Sequence, residues 1–210
     1  MRKLFNCIIC VLLFCSFPLF FYACSSSADV DNENFITDSS EMIPKLINVS
    51  TDDMSELAED ISPAIVGVSC TVLSSQSLGS GVCIGSGGYI LTNQHVIDDG
   101  RDIKLYLADG SEASAILLWQ DSSLDIAILK SSVSLPYLSL GDGDDCLVGQ
   151  DILAVGTPIN LQFNHTFTRG IVSALNRTLL VSTSDGETYM QNMIQHDASL
   201  NPGNSGGAVS

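Results

Sequence analysis

Near the C-terminal end of this chain of 210 residues stands Asn201-Pro202-Gly203-Asn204-Ser205-Gly206-Gly207. A serine set among glycines on a tight turn has what a nucleophile needs. Glycine reaches backbone conformations closed to other residues. The main-chain N–H groups of Gly203 and Ser205 can then point at one spot, where a developing oxyanion would sit. The same composition also makes ordinary turns, so the heptapeptide alone leaves both readings open. A serine hydroxyl is a poor nucleophile at neutral pH and needs an adjacent base. His95, in Leu91-Thr92-Asn93-Gln94-His95-Val96, can take its proton and hand it on to a leaving group. Asp125, which opens Asp125-Ile126-Ala127-Ile128-Leu129, can hold the imidazole in one tautomer and stabilise the imidazolium. Each has a plainer reading: a histidine after a strand is commonly structural or exposed, and an aspartate before an apolar strand is commonly a turn residue. His165 and His196, the other histidines, lack a comparable setting.

The elements that must position these residues read as strands. Residues 53–60 read as a short helix, with Asp53 as its cap and Glu56 in the capping-box position; Pro63 prevents its continuation. From Ala64 the pattern is β. Strands are expected at 65–68, 79–84 and 89–92, the last running into Asn93-Gln94-His95. Further strands are expected at 103–107, at 111–119 after the Asp109-Gly110 hairpin turn, and at 125–130. The second half carries strand-like stretches at 151–156, 170–175 and 190–196. Short strands at intervals of about ten residues, punctuated by Gly and Asp, argue an all-β barrel or sandwich. No sustained helical periodicity competes with that reading. Between the halves, 135–150 holds Gly141-Asp142-Gly143-Asp144-Asp145, the expected seam. Its aspartates do not match the spacing of the twelve-residue calcium loop, so it reads as a solvated acidic loop and no metal is expected.

Composition narrows the partners. Lys+Arg number 8 against 24 Asp+Glu, a formal charge of −16. Loss of Arg2 and Lys3 with the leading segment would make it −18. Such a surface repels phosphate backbones, which argues against nucleic acid. Residues 1–24 read as a targeting segment: Arg2 and Lys3, then an apolar run over 4–22, then Ala23-Cys24-Ser25-Ser26-Ser27. This resembles a bacterial lipoprotein signal, with Cys24 the residue to be lipidated. The alternatives are an ordinary cleaved signal or an uncleaved anchor, since about 20 apolar residues span a bilayer. Each version places the body outside the cytoplasm. Residues 25–53, rich in Ser, Asp and Asn, read as a flexible acidic linker or, alternatively, as an ordered arm.

Seven cysteines are present, of which Cys7, Cys10, Cys15 and Cys24 belong to the leading segment; Cys70, Cys83 and Cys146 remain. Outside the cytoplasm a disulfide is permitted. A turn at Ser75–Ser77 would bring Cys70 and Cys83 close to opposite each other, making them a candidate pair. The alternative is two small buried apolar residues.

The order His…Asp…Ser is that of the chymotrypsin-like β-barrels. The segments Gly79-Ser80-Gly81-Val82, Tyr89 to Val96, Leu124 to Leu129, Gly170 to Ala174 and Asp197 to Gly207 resemble the HtrA/Deg family of serine proteases, in the family's order and over about residues 56–210. The resemblance implies a trypsin-like double β-barrel, divided here as 54–140 and 141–210, with the active site in the cleft between barrels. It implies cofactor-free, ATP-independent cleavage of unfolded or damaged proteins outside the cytoplasm, often by homotrimers. Carried over by motif, His95 is the base, Asp125 the orienting acid and Ser205 the nucleophile, with Gly203 in the oxyanion hole. Ser199, Leu200 and Asn201 are the candidate substrate pocket. The sequence departs from the family at His196, where threonine is more usual, at Ala208 for proline and at Thr157 for asparagine. In relatives the last strands of the second barrel and one or more PDZ domains follow the nucleophile. The second barrel is therefore expected to be incomplete, with an open edge, and these residues alone weakly stable and weakly active. Rival readings are a chaperone or binding protein on the same fold, a narrow processing protease, and a lipid-anchored adhesion module.

Overall fold

The computed structural model of the chain describes residues 10–14, 17–21, 46–47, 53–73, 75–157, 165–183 and 186–210. Strands β1 (Cys10–Phe14), β2 (Phe17–Phe21) and β3 (Leu46–Ile47) precede helix α1 (Met54–Ile61). The Asp53 side chain accepts the Ser55 N–H at 2.8 Å, satisfying one of the donors a helix start leaves open. Leu57 and Ile61 fall on one face and are buried. Pro63 then sits in a single 3₁₀ turn, Ser62–Ala64, where the helix stops.

The next strands are β4 (Ile65–Val72), β5 (Ser75–Gly85), β6 (Tyr89–Thr92), β7 (Arg101–Tyr106), β8 (Glu112–Asp121) and β9 (Ile126–Ser131). They close into a barrel in the order β4-β5-β6-β9-β8-β7, with β7 pairing back to β4. Val66, Val68, Ile90, Leu105, Ala127 and Leu129 fill its interior. Closure leaves no edge among these strands. A short helical turn, α2 (Gln94–Ile97), leaves β6 directly after Asn93; the sequence had suggested only a strand end there.

Beyond β10 (Tyr137–Leu138) come β11 (Asp151–Gly156), β12 (Thr166–Thr183), β13 (Gly186–His196) and β14 (Ala208–Val209). Together with β1 and β2, the strands β11 to β14 form an open six-stranded sheet in the order β1-β2-β13-β12-β11-β14. The fold is all-β and trypsin-like: one closed barrel and a second sheet. A cluster including Ile61, Ile65, Val82, Leu138, Leu153 and Val155 joins the two. Because that core is drawn from both halves, the barrel and β11 are held side by side.

Three expectations are revised. Val72 pairs with Ser75 and Leu73 takes φ +52°, so the chain reverses directly after Val72 rather than over Ser75–Ser77. A left-handed residue in a short hairpin loop, as at Leu73, matches the twist of the flanking strands. The shift places Cys70 opposite Ser77, while Val82, next to Cys83, pairs with Ile65. The two cysteines thus lie far apart along the ladder, at about 3.3 Å per residue, well beyond the ~7 Å reach of a disulfide. They are not paired: both are free and buried; Cys146 is buried as well. The Cys70 thiol donates to the Val96 carbonyl at 3.2 Å, and Cys83 lies 3.6 Å from that of Gly85. Burial pushes both thiols upward in pKa.

Leu46–Ile47, inside the stretch read as a flexible linker, pair in parallel with β10, and Ile47 is buried. Within the leading segment, β1 and β2 form an antiparallel hairpin that meets β13 at Phe20–Ile194. No helix among the described residues is long and apolar enough to cross a membrane. Cys24 and most of 25–53 lie outside the described residues.

Candidate active site

Asp125 ends the β8–β9 connection at φ +50°, a left-handed conformation that Asp tolerates better than most residues. There its main-chain carbonyl accepts the Asn93 Nδ2–H at 2.9 Å and the Gln94 N–H at 3.2 Å. Its side chain turns to the next residue of α2. Oδ1 accepts the His95 main-chain N–H at 2.8 Å, and Oδ2 lies 2.7 Å from His95 Nδ1. An ionised carboxylate only accepts, so the ring proton resides on Nδ1 and Nε2 presents a lone pair. The carboxylate is 8% exposed and the imidazole 42%. The acid is shielded while the base stays open to a substrate.

The serine turn is built from two successive reversals. Asn204 N–H bonds the Asn201 carbonyl at 3.0 Å, and Gly207 N–H bonds that of Asn204 at 2.9 Å. Gly203 and Gly206, third in each four-residue turn, have φ +103° and +82°. Pro202 and Ser205, second in each, do not have positive φ. This is the type II pattern, which favours Pro in the second place and requires glycine-like φ in the third. Ser205 therefore sits at a turn corner, and the residue is buried. The turn docks on β5: Ser80 N–H donates to the Ser205 carbonyl at 2.6 Å. A Cβ on Gly206 would overlap the Ser80 carbonyl oxygen and crowd Thr92 Oγ1. Thr92 is the last residue of β6, just ahead of Asn93 and α2. The fold so brings the turn carrying Ser205 against the strand pair that leads into His95.

The remaining candidates flank this turn. Gly203 is buried. Ser199 is exposed, with its carbonyl accepting Thr168 Oγ1–H at 2.7 Å. Leu200 packs partly on the cluster of Ile152, Val172 and Ala198. Asn201 is exposed at the start of the first reversal. His196 is buried in β13 opposite Val172. Loss of water around its ring outweighs the attraction of Asp197 and lowers its pKa to about 4. His165 is lowered as well, by burial, and lies 3.2 Å from Thr157 Oγ1 through Nδ1.

Two contributors had no stated role in the sequence reading. Asn93 binds the Asp125 carbonyl, and Ser80 holds the serine turn. Both are fully buried polar residues inside the quoted motifs. Asn93 stands between Thr92 and Gln94, so no local contrast marked it; for Ser80 the available signal was its place between Gly79 and Gly81 in a strand, where missing side chains imply close packing.

A trypsin-like peptidase domain model matches residues 79–210, and the chain belongs to that family. Its relatives and structural neighbours are HtrA/DegP serine proteases. A Serine protease Do-like HtrA of Bacillus subtilis is 38% identical over 178 residues, covering 74% of this chain and 39% of the relative. A probable periplasmic serine endoprotease DegP-like of Pseudomonas putida is 46% identical over 135 residues, 64% of this chain and 27% of the relative. The HtrA-type protease AlgW, solved with a tripeptide, superposes with a TM-score of 0.66 at 36% identity, covering 74% of this chain and 49% of that one. A serine endoprotease from Yersinia pestis gives 0.61 at 34% identity, covering 77% and 54%. The chain thus spans well under half the length of these curated relatives.

Proposed function

We propose that this chain carries the peptidase centre of an extracytoplasmic, ATP-independent endopeptidase that degrades unfolded or damaged proteins. The observation that carries the reading is the double hold of Asp125 on His95. One carboxylate fixes both the position of the imidazole and its tautomer, an arrangement suited to a general base. Ser205 Oγ attacks the scissile carbonyl carbon and gives its proton to His95 Nε2. The resulting imidazolium is stabilised by Asp125. His95 then returns the proton to the leaving amine as the C–N bond breaks, and water repeats the cycle on the acyl-enzyme. Gly203 and Ser205 supply the main-chain N–H groups for the oxyanion, each worth roughly 3 kcal/mol in such sites. Ser199, Leu200 and Asn201 border the substrate pocket. No cofactor is needed for these steps.

The names of the relatives support a location outside the cytoplasm. We further read residues 1–24 as the tether, through Cys24 lipidation or an uncleaved span, and the whole protein as a homotrimer. The test is labelling by a serine-directed phosphonate, on the gene product expressed to its natural stop codon with an unfolded protein present. Labelling at Ser205 that disappears in His95→Ala is the expected result. No labelling would remove the peptidase reading and favour a chaperone on the same fold.

A further inference from the structure

We propose that Ser80 is the positioning residue of the serine turn, holding the main chain around Ser205 in register with the His95–Asp125 pair. This rests on the reading of Ser205 as the nucleophile. Ser80 lies in β5 with no exposed surface, yet its polar groups are all engaged. Its N–H donates to the Ser205 carbonyl at 2.6 Å. Its carbonyl accepts Thr92 Oγ1–H at 2.6 Å. Its hydroxyl donates to the Gly203 carbonyl at 2.6 Å and accepts the Thr157 N–H at 2.7 Å. One residue therefore ties together β6, the end of β11 and two carbonyls of the serine turn.

The neighbours on β5 show why position 80 can do this. A Cβ on Gly79 would lie 2.6 Å from the Val96 side chain and 2.9 Å from the Ser205 carbonyl oxygen. One on Gly81 would lie 2.6 Å from Ile90. Both neighbours are bare because the turn and the barrel interior press on the strand. Only the side chain between them reaches the turn, and a hydroxyl is small enough to fit while donating once and accepting.

The geometric consequence concerns the oxyanion donors. The Gly203 and Ser205 carbonyls bracket the Asn204–Ser205 peptide, which carries the Ser205 N–H. Anchoring both flanking peptide planes restricts the plane between them. Gly203, at φ +103° and without a Cβ, has little intrinsic restraint of its own. The Ser80 hydroxyl supplies that restraint from outside the turn. Removing it frees the Gly203 carbonyl and leaves the buried Thr157 N–H without its partner. The donors then lose alignment with the reacting carbonyl, and misplacement of about 1 Å can cost about 100-fold in rate.

The test uses the gene product expressed to its natural stop codon as wild type, Ser80→Ala and Ser80→Cys. Active sites are titrated to completion with the phosphonate. Turnover of a reduced, carboxymethylated and labelled protein is measured on a separate, untreated aliquot and expressed per titrated site. In Ser80→Ala, kcat per site should fall about 10- to 100-fold with KM within about threefold, as expected when donor alignment is lost. Ser80→Cys, with a weaker donor of similar shape, should fall between. The acid limb of kcat/KM should stay in place, because the His95–Asp125 pair is untouched. Fewer titratable sites and a lower Tm with unchanged kcat per site would mean Ser80 only stabilises the fold, and would overturn the proposal. Should Ser80→Ala yield no folded protein, Ser80→Cys is judged by the same criterion. Normal titration of the wild type keeps the peptidase reading even where the Ser80 proposal fails; no titration of the wild type sinks both.

Discussion

Asp125 holds His95 twice, through the imidazole Nδ1 at 2.7 Å and through the main-chain N–H at 2.8 Å. The two contacts use different oxygens of one carboxylate, so the helical turn and the ring it carries are fixed together. An amide at position 125 keeps the shape but offers only one acceptor oxygen and favours the wrong imidazole tautomer. In Asp125→Asn, kcat per titrated site should drop about 10⁴-fold with little change in Tm. A loss below about tenfold would show that the ring is oriented by other groups.

Gly206 tests the second reversal of the serine turn. Its φ of +82° costs an L-residue roughly 1–2 kcal/mol, and the added methyl overlaps the Ser80 carbonyl oxygen. Gly206→Ala should lower Tm by at least about 2–8 °C, taking about 2–4 °C per kcal/mol for a domain of this size. Phosphonate labelling at Ser205 should be lost with it. An unchanged Tm would mean the turn relaxes at no cost.

Buried His196 gives stability a dependence on pH. Its pKa falls to about 4 in the folded protein, against about 6.5 when unfolded. Between those values the unfolded chain binds a proton that the folded one refuses. The contribution is therefore complete above about pH 6.5 and lost progressively as pH falls toward 4, up to a ceiling of about 3 kcal/mol. His165 acts in the same direction. Tm measured from pH 7 to pH 4 should fall less steeply in His196→Thr than in the wild type. Parallel curves would assign the acid sensitivity elsewhere.

The thiols give a chemical check of the barrel register. Cys70 and Cys83 lie opposite Ser77 and Ile90 respectively, and both are unpaired. Without reductant, Cys70 and Cys83 should be unreactive in the native protein. Both should be alkylated after denaturation, as mapped by mass spectrometry. A Cys70–Cys83 cross-linked peptide would refute the register of β4 on β5.

Much of the local structure is legible in the residues. Asp53 caps the first helix, and Pro63 stands where it ends. The strands from Ile65 to Ser131 follow the apolar runs and Gly or Asp turns. Other elements were not. The hairpin after Val72 turns at Leu73 rather than among the serines that follow, because strand pairing outweighed turn composition. The 18-residue strand β12 is longer than its apolar core suggests, since pairing with β13 carries it beyond that core. Leu46–Ile47 gain their strand only by meeting Tyr137–Leu138.

What the sequence determined by itself is short in range. Pro202-Gly203 and Ser205-Gly206 specify two reversals, because φ preferences are set within one or two residues. The apolar runs specify strands, because side-chain alternation repeats every second residue. What only the tertiary structure decided is convergence. His95 meets Asp125 across 30 residues, and Ser80 meets Gly203 across 123. No local preference encodes those distances. They follow from the closure of six strands into a barrel and from an apolar core shared with the second sheet. Together these press β5 against the serine turn until their polar groups can be satisfied only by one another.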